Sequence, residues 1–253
     1  MTKNKKCTLI ISGGLDSTVL LYYTSSTTSS QNIHTLSFNY GQKHVKELIY
    51  AQKLSKALGI ENTIINISSI GKLLNSSLTQ KGEKIPEGHY AQKNMRLTVV
   101  PNRNAIMLSI AYGYAISNKS DYLIYGAHTG DHFIYPDCRL PFVKTLNHAL
   151  RLGNKSFGRV TIIAPFISKT KSDLVKIGLK LNVPFDKTWS CYNGGEKPCL
   201  KCGTCIERIE AFKENNIKDP LLSEKEWKLA LINYERTKKV LNNTHSRNYQ
   251  ATN

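Results

Sequence analysis

The sequence predicts an α/β protein built on a mostly parallel, doubly wound sheet. Three observations point there. Short apolar runs alternate with longer segments of helical periodicity from residue 7 to residue 181. Glycine turns join several strands to the helices that follow, the first at Ser12-Gly13-Gly14. The chain has 253 residues, enough for one large α/β domain or two small ones.

The elements follow in order. CTLIIS (7–12) is a strand, and Asp16 to about Thr24 begins a helix with Asp16 and Ser17 as cap candidates. HTLSFNY (34–40) is a second strand. Residues 43–58 carry apolar side chains at helical spacing and stop at Gly59. NTIINIS (62–68) is a third strand, and residues 75–98 read as a polar loop. Asn104 to Ser117 is a helix, DYLIYGA (121–127) a fourth strand, and a helix lies near 140–152. RVTIIAP (159–165) is the fifth strand, followed by a helix over 169–181 with Lys171 in its first turn. A β-α alternation of this kind buries a parallel sheet between helices and puts ligands beyond the carboxyl ends of the strands. Three domain divisions follow: residues 1–185, a cysteine segment at 186–220, and a C-terminal helix with a disordered tail at 221–253.

Composition narrows the function classes. Hydrophobic content of 40% with 21% charged residues describes a globular chain. No run of about 18 apolar residues exists for a membrane span, and the N-terminal apolar run is too short for a signal-peptide core, so the cytoplasm is the expected compartment. The formal net charge of +17 favours phosphate-bearing ligands. The lysines are scattered, with no run of five basic residues, so a nucleic-acid partner is not the primary reading.

SGGLDS (12–17) sits between a strand and a helix. Gly13 and Gly14 let the backbone approach a ligand, and the helix N-terminus offers unpaired N–H groups to an anion. The loop has no lysine of the G-x-x-x-x-G-K-[ST] type, so it is poorly equipped to clamp a transferring γ-phosphate. It suits pyrophosphate as a leaving group. Separately, Cys191 is followed by seven residues and then Cys199-x-x-Cys202-x-x-Cys205. Four clustered thiols without an export signal favour a metal over disulfides, and a closed four-thiolate site favours a structural Zn2+; an iron–sulfur cluster is the rival. Cys7 and Cys138 stand apart as small apolar residues.

SGGxDS resembles the signature of the PP-loop ATP pyrophosphatases, which have an adenine nucleotide alpha hydrolase-like fold. SFNYGQKH (37–44), VVPNRN (99–104), GDHFIYPDCR (130–139) and CYNG followed by CLKCGTC narrow the resemblance to the 7-cyano-7-deazaguanine synthase (preQ0 synthase) family of queuosine biosynthesis. It spans about residues 7–220. The resemblance implies an ATP-dependent ligase that turns 7-carboxy-7-deazaguanine and ammonia into the nitrile through an adenylated acid and an adenylated amide, with Mg2+ and a bound Zn2+.

Carried onto this sequence, it implies an ATP segment of Ile11, Ser12, Gly13, Gly14, Leu15, Asp16, Ser17, Thr18, Val19, Leu20 and Leu21. Tyr40, Gly41, Gln42, Arg103 and Asn104 would lie in the same cleft. Asp16, Ser17, Arg103, Asp131 and Lys171 would be catalytic, with Lys171 neutralising charge on phosphate. Asp131, Asp137 and Arg139 would read the deazaguanine edge or bind magnesium; His132, like His128, flanks Asp131 as an acid–base candidate. Cys191, Cys199, Cys202 and Cys205 would hold the metal. Asn102 stands where many relatives have glycine, and Asn tolerates a left-handed backbone. A homodimer is implied. Two alternatives stay open: a relative joining the activated acid to a protein amine, with the C-terminal tail as partner surface, and a tRNA-modifying protein.

Overall fold

The computed structural model describes residues 4–80 and 82–250. The sheet is fully parallel, with strands β1 (Cys7–Ile10), β2 (Ile33–Asn39), β3 (Glu61–Asn66), β4 (Tyr122–Ile124) and β5 (Thr161–Ile163). Their spatial order is β3-β2-β1-β4-β5. The order reverses at β1, which pairs with β2 on one side and β4 on the other, so a crevice opens at the carboxyl ends of β1 and β4.

Helices cover both faces. Helices α1 (Leu15–Ser25) and α2 (Glu47–Ala57) supply Leu15, Val19, Leu20, Ala51 and Leu54 to one buried cluster with Leu9 of β1. A short turn, α3 (Ser68–Gly71), follows β3. Helices α4 (Arg103–Ser117) and α5 (Leu140–Gly153) give Leu108, Ala111, Tyr112 and Val143 to the other cluster, with Leu36, Leu123 and Ile162. Helix α6 (Lys171–Lys180) returns to the first face through Leu174 and Val175. Its start is a capping box, with the Thr170 hydroxyl accepting from the Asp173 N–H and the Asp173 carboxylate accepting from the Thr170 N–H.

Helix α7 (Gly203–Glu214) begins between Cys202 and Cys205 and is the helix of the C-terminal cysteine segment, which the sequence predicts as a zinc-binding helical segment without bounds for the helix. Ile206, Ile209 and Phe212 recur at helical spacing and are fully buried. Helix α8 (Glu224–Gln250) packs on it through Ala230 and Tyr234. It continues past Asn242, where the sequence predicts a disordered tail. No Gly or Pro interrupts residues 224–250, so nothing in the chain breaks the ladder. Residues 251–253 lie outside the described residues. No helix among the described residues is long and apolar enough to cross a membrane.

The 75–98 stretch is less polar in place than in sequence. Leu78, Ile85, Tyr90 and Met95 are buried, because this segment closes over the crevice. The Gly88 N–H donates to the Lys201 carbonyl, tying the segment to the cysteine loop.

Candidate active site

A cavity of about 220 Å3 lies beyond the ends of β1, β2 and β4. Ile11, Ser12, Gly14, Leu15, Asp16, Ser17, Tyr40, Arg103, Asn104, Asp131 and Lys171 line it, as the sequence predicts. The remaining wall includes Phe38, His44, Glu47, Tyr90, Tyr125, Trp189 and Tyr192.

The glycine loop is held from several sides. Gly13 has φ of +87°, and a side chain there would run into the Glu47 carbonyl of α2 and come within 2.7 Å of the Ala51 nitrogen. Only glycine fits both conditions. The Ser17 hydroxyl accepts from the Ser12 and Gly13 N–H groups at 3.1 and 3.2 Å. Thr18 donates to the Gly14 carbonyl at 2.7 Å. Val19, Leu20 and Leu21 point into the core, so they seat α1 and do not face the cavity.

One end of the cavity is a dense charge network. Lys171 Nζ lies 2.6 Å from Glu207 Oε2 and 3.2 Å from Asp16 Oδ2, with both Lys171 and Glu207 side chains 8% exposed. Burial opposes the lysine's charge, yet Asp16 and Glu207 outweigh it and hold the ammonium form well above its usual range. Burial likewise opposes ionised Asp16, and Lys171 and His128 overcome it, so its carboxyl titrates well below the usual range. Asp16 Oδ1 is buried and has no hydrogen-bond partner. His128 is fully buried, with Nε2 3.5 Å from Asp16 Oδ2 and 3.6 Å from Asp131 Oδ2. Burial disfavours its charged ring, while Asp131 and Asp16 push its pKa up to about 9. The Gly130 N–H donates to Nδ1 at 3.1 Å, so charging the ring costs that bond.

Another part of the wall is aromatic and carries Arg103 and Glu47. The Arg103 guanidinium lies 5.7 and 5.5 Å from the Tyr40 and Tyr135 ring centres. It enters on the first turn of α4, which Asn102 starts in the left-handed conformation at φ +57°. Tyr90, Tyr192, Tyr135 and Thr98 form a hydroxyl chain with steps of 2.7, 3.3 and 3.1 Å.

Several expected ligand-readers sit elsewhere. Gln42 is buried behind the wall: its carbonyl accepts from the Tyr40 N–H and its amide donates to the Phe38 carbonyl and Glu47. Asp137 accepts from the Asn104 N–H. Arg139 donates to the His132 carbonyl, and His132 Nε2 meets the Cys138 carbonyl, so both knit their own loop. Cys138 lines the cavity, and Asn104 donates to its sulfur at 3.2 Å. Cys7 is buried in the sheet. Gly41 takes φ of +81° in the turn after β2.

Sequence reasoning missed Glu207 and Glu47. Glu207 sits on α7, whose apolar spacing over 206–212 was the available signal. Glu47 stands in the first turn of α2 inside KHVKELIY, which reads as an ordinary amphipathic helix start.

The four cysteines converge. Cys191, Cys199, Cys202 and Cys205 place their sulfurs within 4.8 Å of one another, with no disulfide. The Cys199 and Cys205 sulfurs are 3.9 Å apart. A tetrahedron with metal–sulfur bonds of about 2.3 Å has edges of about 3.8 Å, so the set fits a four-thiolate metal ion. The Cys199 N–H donates to Cys191 Sγ and the Cys202 N–H to Cys199 Sγ, as outer-shell support for thiolates. The knot also braces the cavity. The Trp189 N–H donates to the Gly13 carbonyl at 3.0 Å, and its indole N–H to the Cys191 carbonyl at 2.9 Å. Arg208 pairs with Asp219 and reaches Thr188 and Ser190 behind it.

A doubly wound parallel sheet with an SGGxDS loop at its switch point and a four-cysteine cluster near the C-terminus define a PP-loop-like fold. The particular family follows from comparison. The family model described as "Queuosine biosynthesis protein QueC" matches residues 6–216, and the chain belongs to that family. A protein of Archaeoglobus fulgidus named 7-cyano-7-deazaguanine synthase is 47% identical over 230 residues, covering 91% of this chain and 95% of that protein. A namesake from Pseudoalteromonas atlantica is 47% identical over 217 residues, covering 86% of this chain and 98% of that one. A solved U34-tRNA thiolase NcsA from Methanococcus maripaludis, with its [4Fe-4S] cluster, aligns at 18% identity and a TM-score of 0.47, over 95% of this chain and 74% of that one.

Proposed function

We propose that this protein makes 7-cyano-7-deazaguanine from 7-carboxy-7-deazaguanine, ammonia and ATP, the activity named for its 44–47% identical relatives. The observation that carries the reading is Lys171 of α6 paired with Asp16 of the SGGLDS loop. The other polar groups of that loop are N–H and hydroxyl groups, so the lysine is the cation that supports phosphate chemistry there.

The ring's carboxylate oxygen attacks the α-phosphorus of ATP, and pyrophosphate leaves. Ser12, Gly13, Gly14 and Ser17 hold it against the N-terminus of α1. Lys171 balances charge on the transferring group, and Glu207 and Asp16 keep that lysine ammonium and aimed. Ammonia displaces AMP to give the amide and gives up a proton. The amide oxygen attacks the α-phosphorus of a second ATP, releasing pyrophosphate and one N–H proton; AMP then departs from carbon with loss of the second N–H proton, leaving the C–N triple bond. Asp16 Oδ1 and the nearby Asp131 are the carboxylates suited to a Mg2+ ion, which would neutralise phosphate charge when bound. The knot takes Zn2+ as a closed structural site, with no open position for chemistry.

The test is incubation with the acid, ATP, magnesium and ammonium, followed by mass spectrometry and metal analysis. The expected products are the nitrile, AMP and pyrophosphate, with about one zinc per chain. ADP as the nucleotide product would overturn the reading. Turnover only onto a protein amine would select the alternative acceptor, and iron–sulfur absorbance would replace the zinc.

A further inference from the structure

The cavity's wall carries three acidic residues, Asp16, Asp131 and Glu47. The first two belong to the lysine–histidine network. Glu47 stands apart from it, among Gln42, His44 and Arg103, in a side chain only 11% exposed.

Its setting is prearranged. The Tyr40 N–H donates to the Gln42 carbonyl oxygen at 2.9 Å, which forces the Gln42 amide nitrogen toward the Phe38 carbonyl and Glu47 Oε1, the latter at 3.2 Å. One oxygen of Glu47 is therefore oriented by the protein. His44 Nε2 lies 3.5 Å from the same oxygen. Burial holds the His44 ring neutral, its pKa lowered to about 3, with the Arg103 charge adding to the effect. Arg103 lines the same cavity, and its charge opposes the rise that burial gives the Glu47 carboxyl. Phe38, Tyr40, Tyr125, Trp189 and Tyr192 form flat apolar walls around the space.

We infer that Glu47 and Arg103 read the ring edge of the acceptor, with Glu47 accepting from two adjacent N–H donors and Arg103 donating to the neighbouring carbonyl oxygen. The ligand class is a planar 2-amino-4-oxo heterocycle. A carboxylate has two acceptor oxygens spaced for paired N–H donors, and a guanidinium has only donors. An adenine edge presents an amino donor and a ring-nitrogen lone pair. The donor would face Arg103 and the lone pair Glu47, so the pair rejects the base of ATP at this end. The acceptor's reacting carboxyl is on its five-membered ring, beside the oxo oxygen and away from the 2-amino group. Holding the N–H edge at Glu47 therefore fixes where that carboxyl lies in the cavity that Asp16 and Lys171 also line. Arg139 and His132 bond within their own loop, and Asp137 accepts from the Asn104 N–H of α4. The assignment rests on the proposed reaction.

The test measures KM for the acid and for ATP in wild type, Glu47→Gln and Glu47→Asp, using 7-carboxy-7-deazaguanine and its analogue without the 2-amino group. Wild-type turnover of the acid is the check on the functional reading itself, and its absence would take both down. Given that turnover, the wild type prefers the amino-bearing acid by about 100-fold, since a site built for N–H donors penalises their loss. Glu47→Gln raises KM for the acid at least about tenfold, leaves KM for ATP unchanged and shrinks the preference for the amino group. Glu47→Asp, which keeps the charge on a shorter arm, falls between. Thermal melts confirm that the isosteric Gln variant is folded. A rise in KM for ATP with the acid unaffected, or an undiminished amino preference in Glu47→Gln, would overturn the inference.

Discussion

The two ends of one cavity are built on opposite principles. At the phosphate end, Lys171, Asp16, Glu207 and His128 are buried in mutual contact, and their charges stabilise one another. At the aromatic end, burial drives Glu47 and His44 toward neutral forms, and the Gln42 amide and the Arg103 charge offset only part of that at Glu47. A charged, preorganised end suits charge that develops during reaction. A partly compensated carboxyl suits a ligand that brings its own N–H donors, because those donors stabilise the ionised form. The contrast separates the part of the site that does chemistry from the part that chooses what reacts.

The largest expected break in that contrast is at Lys171. Lys171→Ala should lower kcat by about a thousandfold or more in an AMP-release assay. It also leaves Glu207 buried without its cation, at a cost of about 3–5 kcal/mol in a denaturant melt. Undiminished turnover would remove the lysine from the chemistry.

A smaller effect is expected at the aromatic end from Gly203→Ala. The added methyl would sit 2.6 Å from the Tyr90 ring and 3.2 Å from the Met95 sulfur. Moving Tyr90 breaks its 2.7 Å bond to Tyr192, so KM for the acid should rise while the melt loses about 1–3 kcal/mol. A larger effect on ATP than on the acid would blur the division between the ends.

The smallest effect concerns pH. Burial raises the Glu47 pKa from 4.5 to about 8, with Gln42 and Arg103 opposing the rise. Between those values the folded protein keeps a proton that the unfolded chain has released. The native state thus binds more protons, and stability falls as pH rises through that window. Below about 4.5 both states are protonated and the penalty vanishes. Glu47→Gln should flatten the fall in melting temperature between pH 5 and 8. An unchanged slope would place the carboxylate in a more polar setting than its geometry indicates.

How much of this was legible in the sequence differs between the same two ends. Strand and helix order came through because period-2 and period-3.6 patterns survive in a doubly wound sheet. SGGLDS was legible because close backbone approach leaves a glycine signature, and Lys171 followed from a matched motif. Glu207 was not, because the cysteines drew the reading of 186–220 toward a knot and away from the apolar spacing of α7. The aromatic end was harder still. Its wall gathers Tyr40, Glu47, Tyr90, Arg103 and Tyr192 from separate elements, and no local pattern marks residues that meet only through tertiary packing. Of the expected readers, Arg139 and His132 bond within their own loop, and Asp137 bonds the start of α4.

The most direct test of a divided cavity is exchange of labelled pyrophosphate into ATP without ammonium, which reports formation of the first adenylate alone. The account predicts exchange that requires 7-carboxy-7-deazaguanine, disappears in Lys171→Ala, and returns in Glu47→Gln when the acid is raised well above its wild-type KM. Exchange that proceeds without the acid, or that Glu47→Gln abolishes at every concentration of acid, would contradict it.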